Sequence, residues 1–208
     1  MSLASDERAA LCLELDRVGP DRPTLCEGWT TRDLLAHLLV RERAPWAAAG
    51  IAVKPLAGIT ERAMASWAGT PWTEMVDLLR AGAPLWSPYR IGTVDALVNG
   101  AEFFVHHEDV RRGEPGWEPR PPDPVRDEQL WTLLGRMGRV LYRSSPVGVT
   151  VRRSPSDQKV LTSGSRTVIL LGEPGELVLH AFGRDAVRVE VEGEPADVTA
   201  FAATSRGI

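Results

Sequence analysis

Apolar side chains recur every three or four positions through most of the first 145 residues, as in helices that bury one face. Thr30, followed by Asp33 three residues later, has the spacing of a capping box at a helix start. Four long helices joined by loops indicate a helical bundle. The pattern predicts long helices over residues 5–18, 31–48, 94–112 and 125–142, and shorter ones over 60–68 and 73–81.

After Pro146 the pattern changes to that of strands. Val147, Val149 and Val151 alternate with other residues, as a half-buried strand requires. The chain is therefore predicted to be α+β, with a helical domain over residues 1–145 and a small α+β domain over residues 146–208. In the second domain we predict further strands over 166–171 and 186–191, and helices over 175–182 and 195–204.

Composition and charge exclude several classes of protein. The net charge is −4 and the sequence is 43% hydrophobic, whereas a nucleic-acid-binding surface needs concentrated positive charge. No apolar run approaches the ~20 residues that span a bilayer, and the first ten residues lack the apolar core of a signal peptide. Cys12 and Cys26, the only cysteines, are expected to be free thiols. We therefore expect a cytoplasmic protein that binds neither nucleic acid nor membranes.

The most informative segment contains Glu102 and His106, which are four residues apart and so share one helix face. With Asp95, Asn99 and Asp109 they form a polar stripe between two apolar flanks, which indicates that the stripe faces the interior. A buried carboxylate and imidazole need partners. A divalent metal ion is one such partner, because the pair offers one oxygen and one nitrogen ligand; a simple hydrogen-bonded pair is the alternative.

A third ligand would have to come from another helix, and the chain has four histidines. His37 is the best candidate, because it is a lone polar group in an apolar helix face; a hydrogen-bonded core histidine is the alternative. Three protein ligands would leave a coordination position open for water or substrate, as in catalytic sites. We expect His107 at the surface, His180 packed in the small domain, and Asp109 in a salt bridge or supporting the site.

Two segments of the chain resemble the mycothiol-dependent maleylpyruvate isomerase family within the DinB-like metal-binding superfamily. They are LCEGWTTRDLLAHL, residues 25–38, and EFFVHHEDV, residues 102–110. The resemblance implies a DinB-like four-helix bundle followed by a small C-terminal α+β domain, and it places metal-ligand roles on His37, Glu102 and His106. Gly183 and Arg184 are similar to a pair whose arginine reaches the active site in that family, which implies a catalytic role for Arg184.

The resemblance also implies zinc or another divalent metal, together with mycothiol as the thiol cofactor. A coordinated thiol has a lowered pKa and stays as the nucleophilic thiolate. Its addition to an activated double bond, followed by rotation and departure, would give a cis–trans isomerase; addition alone would give a transferase. The substrate would be a small acid or electrophile, with Arg184 binding its carboxylate. Such bundles also commonly form homodimers.

Two other functions fit the same residues. A metal-dependent hydrolase would use the open position for an activated water, with Asp33 or Asp109 as general base. A non-catalytic binding module would use the metal for stability alone. A requirement for the thiol in turnover separates the first of these from the isomerase.

Overall fold

The structure, a computed structural model, describes residues 2–47, 57–87 and 99–207. The chain divides into two compact units, Met1–Trp117 and Glu118–Ile208. This division falls earlier than the predicted boundary after residue 145, because the helix of residues 124–141 groups with the sheet that follows it. None of the described helices is long and apolar enough to cross a membrane.

The described part of the first unit is helical. Helix α1 packs against α5 and α4, and α2 packs against α4 and α3. Their shared core contains Leu11, Leu15, Leu34, Leu38 and Phe103, all fully buried, and each such side chain stabilises the fold by about 1.5–3 kcal/mol. The helices are α1 (Leu3–Val18), α2 (Thr31–Arg43), α3 (Ala57–Ala65), α4 (Trp72–Ala81) and α5 (Gly100–Arg111).

Residues next to its ends determine where helix α2 begins and where it stops. The predicted capping box is confirmed: the Thr30 hydroxyl accepts from the Asp33 backbone N–H, and the Asp33 carboxylate accepts from the Thr30 backbone N–H at 2.9 Å. The helix ends at Arg43, earlier than predicted, because Ala44 precedes Pro45 and leaves the helical conformation with φ −140°.

The other helix predictions in this unit hold with shifted ends. Helix α1 begins at Leu3 rather than Ser5, because Ser2 forms a capping box with Ser5. The predicted start of the 94–112 helix, with Asp95 of the polar stripe, lies outside the described residues. From Gly100 onward that helix is observed as α5.

The second unit combines helices with a four-stranded sheet, so the predicted α+β class is confirmed. The strand order is β2-β1-β3-β4, with β1 parallel to β3 and the outer strands antiparallel to their neighbours. Helix α6 packs against α7 and β2, and α8 packs against β3. The elements are α6 (Pro124–Leu141), β1 (Gly148–Ser154), β2 (Asp157–Thr162), β3 (Thr167–Leu171), α7 (Pro174–Ala181), β4 (Glu190–Glu192) and α8 (Pro195–Ala202).

Burial alternates along β3, whereas in β1 Gly148 and Thr150 are buried as well as the predicted valines, so this strand is covered on both faces at its start. Val149 and Val151 in β1 are fully buried. Strand β2 was not predicted, because Leu161 is its only buried side chain. The predicted strand over residues 186–191 is wrong for its first part: the Arg188 backbone N–H donates to the Glu176 carboxylate at 2.6 Å, and strand pairing begins only at Glu190.

Candidate metal centre

Three predicted ligands from two helices converge in the first unit. His37 comes from the middle of α2, and Glu102 and His106 come from successive turns of α5. The Oε1 atom of Glu102 lies 3.1 Å from His37 Nε2 and 3.2 Å from His106 Nε2. We call these residues the His37–Glu102–His106 cluster; one ligand atom from each lies within 4.8 Å of the others.

The cluster is shielded from solvent but not closed. His37 is 5% exposed and His106 is 8% exposed, whereas the Glu102 side chain keeps 21% of its surface exposed. The Trp29 ring covers one side of His37, with the ring centroids 5.2 Å apart. The site is therefore held by packed side chains and keeps a route to solvent at the carboxylate.

Charged neighbours set the protonation of the cluster. Burial alone would raise the pKa of Glu102, but Arg41 at 3.3 Å and hydrogen bonds from His106 and His37 hold that pKa well below its usual value. Burial opposes protonation of His106, yet its hydrogen bonds to Asp109, Cys26 and Glu102 raise its pKa well above the usual value. Burial lowers the pKa of His37. Glu102 is thus an anion, His37 a neutral imidazole, and His106 carries a proton that a cation could replace.

Asp109 fixes the orientation of the His106 ring. Its carboxylate is fully buried, and Oδ2 accepts from His106 Nδ1 at 2.9 Å. A proton held on Nδ1 leaves Nε2 as the nitrogen able to bind a metal ion. Because Nε2 faces Glu102 and His37, Asp109 directs the ligating nitrogen toward the cluster.

The loop before α2 brings Cys26 to the other side of the same histidine. Cys26 Sγ donates to Asp109 Oδ2 at 3.3 Å and lies 4.0 Å from His106 Nδ1. The Leu25 backbone N–H donates to the Asp109 carbonyl at 3.0 Å, which ties the loop to the end of α5. Gly113 permits this close approach, because a Cβ there would lie 2.1 Å from the Pro23 carbonyl oxygen.

A cavity of about 490 Å³ opens beside His37, within the usual size range of small-molecule sites. The loop before α2, α2 itself, α3 and the turn after α3 supply its walls. Trp29, Met64 and Trp67 are its large apolar side chains, and Arg32, Asp33, Thr60 and Glu61 add polar groups. The cavity gives a small molecule access to one of the proposed ligands.

The geometry of the cluster fits a divalent cation. Ligand atoms bound at about 2.0–2.1 Å in a tetrahedral site lie about 3.3 Å apart, close to the 3.1 and 3.2 Å separations around Glu102. Once a cation has replaced the Nε2 proton of His106, the carboxylates of Glu102 and Asp109 with the Arg41 guanidinium leave a local charge of −1, which favours the cation. Three protein ligands also leave a coordination position for another molecule.

The structure also places the two remaining histidines, His107 and His180, and the predicted catalytic residue Arg184. His107 was expected at the surface, which is wrong: it is 6% exposed, and its Nδ1 lies 3.0 Å from Oε2 of Glu7 on α1. His180 packs in the second unit, as expected, between Tyr142 and Arg206. Arg184 also lies in the second unit, and its Nη1 donates to the Phe182 carbonyl at 2.8 Å.

Sequence reasoning missed two participants, Cys26 and Arg41. The apolar periodicity that exposed His37 and His106 carries no information about Cys26, which is placed by an irregular loop. Arg41 is one turn beyond His37 on α2, and its Nη2 donates to Asn99 of the predicted stripe at 3.3 Å. That four-residue spacing could have indicated Arg41 as a neighbour of the cluster.

Comparison with known proteins finds one matching family model and similar solved structures. Residues 1–87 match the family model of the mycothiol maleylpyruvate isomerase N-terminal domain. The crystal structure of the mycothiol-dependent maleylpyruvate isomerase is similar in fold, with a TM-score of 0.64, 17% sequence identity, and coverage of 92% of this chain and 91% of that chain. A histidine-to-alanine mutant of that isomerase gives a TM-score of 0.64 and 18% identity, with the same coverage. No curated protein sequence matches at a significant level. The N-terminal part of the chain, residues 1–87, is thus similar to the mycothiol maleylpyruvate isomerase N-terminal domain, and the likeness in fold extends over most of the chain.

Proposed function

We propose that this protein is a metal-dependent enzyme that uses a low-molecular-weight thiol, mycothiol, to isomerise a small unsaturated acid. The observation that carries the proposal is the convergence of His37, Glu102 and His106, of which His37 lines a cavity of about 490 Å³. The family match over residues 1–87 and the fold likeness support the same reaction class. Zinc is the metal we infer, because two imidazoles and one carboxylate suit it.

The protein's own residues prepare the site for this chemistry. Asp109 holds the proton on His106 Nδ1, so that Nε2 is presented to the cluster. Arg41 keeps Glu102 ionised and therefore available as a ligand. A divalent cation bound there would act as a Lewis acid that lowers the pKa of an incoming thiol. Trp29 covers His37 and limits the access of water to the ligands.

The resemblance also supports a role for Arg184 in binding the substrate carboxylate, because a guanidinium can pair with a carboxylate through two hydrogen bonds. We propose that Arg184→Gln raises KM for the acid substrate while the metal content stays unchanged. Steady-state kinetics beside metal analysis checks this. Equal KM values in the variant and the parent protein would show that Arg184 does not bind the substrate carboxylate.

The hydrolase alternative finds less support in the side chains. Asp109, one of its candidate bases, already accepts from both His106 and Cys26. Asp33, the other, caps α2 through Thr30. A hydrolase would have to use a carboxylate that is already engaged. The cavity beside His37 favours a small-molecule enzyme over a metal-stabilised module.

The test of the proposed function is a thiol-dependence assay. Metal-loaded protein should convert maleylpyruvate to its trans isomer when mycothiol is present and should not when S-methylated mycothiol replaces it. His37→Ala should lose both the metal and the turnover. Turnover that is equal with and without a free thiol would overturn the proposal, as would absence of turnover in protein that carries stoichiometric metal and free mycothiol.

A further inference from the structure

We propose that Cys26, His106 and Asp109 form a second cation site, selective for thiophilic divalent metals such as Cd²⁺. We call these residues the Cys26–His106–Asp109 cluster. One ligand atom from each lies within 4.8 Å of the other two. The site uses Nδ1 of His106, whereas the His37–Glu102–His106 cluster uses Nε2 of the same ring.

The distances suit coordination after small shifts. The separations are 3.3 Å for Cys26 Sγ to Asp109 Oδ2, 4.0 Å for Cys26 Sγ to His106 Nδ1, and 2.9 Å for His106 Nδ1 to Asp109 Oδ2. With bonds of about 2.3 Å to sulfur and about 2.0–2.1 Å to nitrogen and oxygen, a tetrahedral cation would need about 3.3–3.6 Å between ligands. Each observed separation is within about half an ångström of that range.

The three ligands are already held in place. Cys26 is fixed at both ends: its N–H donates to Thr24 Oγ1 at 3.2 Å, and its carbonyl accepts from the Trp29 N–H at 2.9 Å. Asp109 is fully buried on α5 and cannot swing into solvent. Cys26 is only half-buried, which leaves one side of the site accessible. Little reorganisation would therefore accompany binding.

The ligand set determines which metals are preferred. A thiolate is a soft ligand that favours Zn²⁺ and Cd²⁺ over Mg²⁺ and Ca²⁺, and an imidazole reinforces this preference. Binding would release the Cys26 Sγ–H proton to solvent, and the Nδ1 proton of His106 would be replaced by the metal. A neutral imidazole then carries its proton on Nε2, where Glu102 Oε1 at 3.2 Å can accept it.

This proton arrangement couples the two clusters. A neutral His106 can ligate through one nitrogen at a time. A thiophilic cation at Nδ1 would therefore withdraw His106 from the His37–Glu102–His106 cluster. This consequence rests on the proposed function, whereas binding of Cd²⁺ at Cys26 does not.

The experiment is a Cd²⁺ titration of the whole chain, followed by the ultraviolet sulfur-to-cadmium charge-transfer band. The parent protein should show a band that saturates at one sulfur-bound Cd²⁺ per chain. Cys26→Ser should lose it, and so should Cys26→Ala, with circular dichroism verifying that each variant is folded. Cys12→Ser is the matched control and should keep the band, because burial raises the pKa of the Cys12 thiol to about 11.

His37→Ala separates this proposal from the proposed function. The variant removes a ligand from the first cluster only, so its charge-transfer band should persist. Failure of the thiol-dependent reaction would therefore leave the Cd²⁺ result unaffected. A band that survives in folded Cys26→Ser, or Cd²⁺ binding to folded His37→Ala without a band, would overturn the second site.

Discussion

Each unit of the protein buries a histidine between two polar partners, but the charges of the partners differ. In the first unit, His106 lies between the carboxylates of Glu102 and Asp109. In the second unit, His180 lies between the Tyr142 hydroxyl and the Arg206 guanidinium, each at 2.7 Å. The environments shift the two pKa values in opposite directions.

The comparison shows what makes a buried histidine suitable for binding a cation. Carboxylates raise the pKa of His106 well above its usual value despite burial, so they stabilise positive charge at the ring. Burial lowers the pKa of His180 to about 4, and Arg206 lowers it further by repulsion. Arg206 donates to Nε2 of His180 and thus occupies the lone pair that a metal would need. Burial and hydrogen bonding are similar around the two histidines. The difference between them is the charge of the neighbouring side chains.

The largest expected effect is on metal content. His106→Gln should lose the bound divalent metal, because it removes one of three ligands and leaves too few for tight binding. His180→Gln, the same change in the other region, should keep full metal content. Elemental analysis of both purified variants checks the contrast. If the two variants carried equal metal, the distinction drawn from the neighbouring charges would be wrong.

The next effect is an acid sensitivity that arises from His180. Its pKa is about 4 in the folded chain and about 6.5 in the unfolded chain. Above pH 6.5 both states hold a neutral ring, so there is no effect. As the pH falls from 6.5 to 4 the unfolded chain binds the proton first, and the free energy of unfolding falls by roughly 3 kcal/mol.

Urea unfolding across this pH range would measure that change. His180→Gln is the control, because it should remove the part of the pH dependence that His180 contributes. Other groups titrate in the same range, so the quantity of interest is the difference between the two proteins. Parallel curves for the parent protein and the variant would contradict the lowered pKa of His180.

A smaller effect is expected at Asp109. Asp109→Asn keeps the size of the side chain but removes the charge that holds the proton on His106 Nδ1. Loss of such a supporting carboxylate typically weakens metal binding by about 10–100-fold, or roughly 1.4–2.7 kcal/mol. Competition with a chelator of known affinity measures the change. Unchanged affinity in a folded variant would show that Asp109 does not orient the ligand.

The smallest effect concerns the hydrogen bond between Tyr142 and His180. Tyr142→Phe removes the hydroxyl at 2.7 Å from Nδ1 and leaves the ring packing on Phe201 in place. We expect a loss of about 1 kcal/mol in the free energy of unfolding. Urea denaturation at neutral pH measures it, and metal content should not change. A loss well above this size would mean that the hydroxyl has a further buried partner.

The sequence allowed prediction of those parts of the site that depend on helical periodicity. Glu102 and His106 are one turn apart on one face, and His37 is a lone polar group on an apolar face, so each could be identified from its neighbours in sequence. His107 could not, because its partner Glu7 is 100 residues away. No local pattern shows that α1 covers that side of α5.

The features that the sequence analysis missed lie in an irregular loop, an edge strand and a helix end. Cys26 reaches Asp109 through backbone hydrogen bonds of a loop, which a periodicity analysis does not describe. Strand β2 was missed because an edge strand with one buried side chain has little apolar alternation. The early end of α2 could have been predicted, since Pro45 disfavours a helical Ala44.

The contact at Gly113 has a consequence for how the site could be tuned. Residue 113 has no side chain and takes no part in the proposed chemistry, yet the absence of a Cβ there leaves room for the backbone of Pro23 and Thr24, just before Cys26. A methyl group there would force the backbone at Pro23 and Thr24 outward and draw the thiol away from Asp109. Adding one carbon atom at residue 113, which carries no functional group itself, would thus disturb the hydrogen bonds around His106.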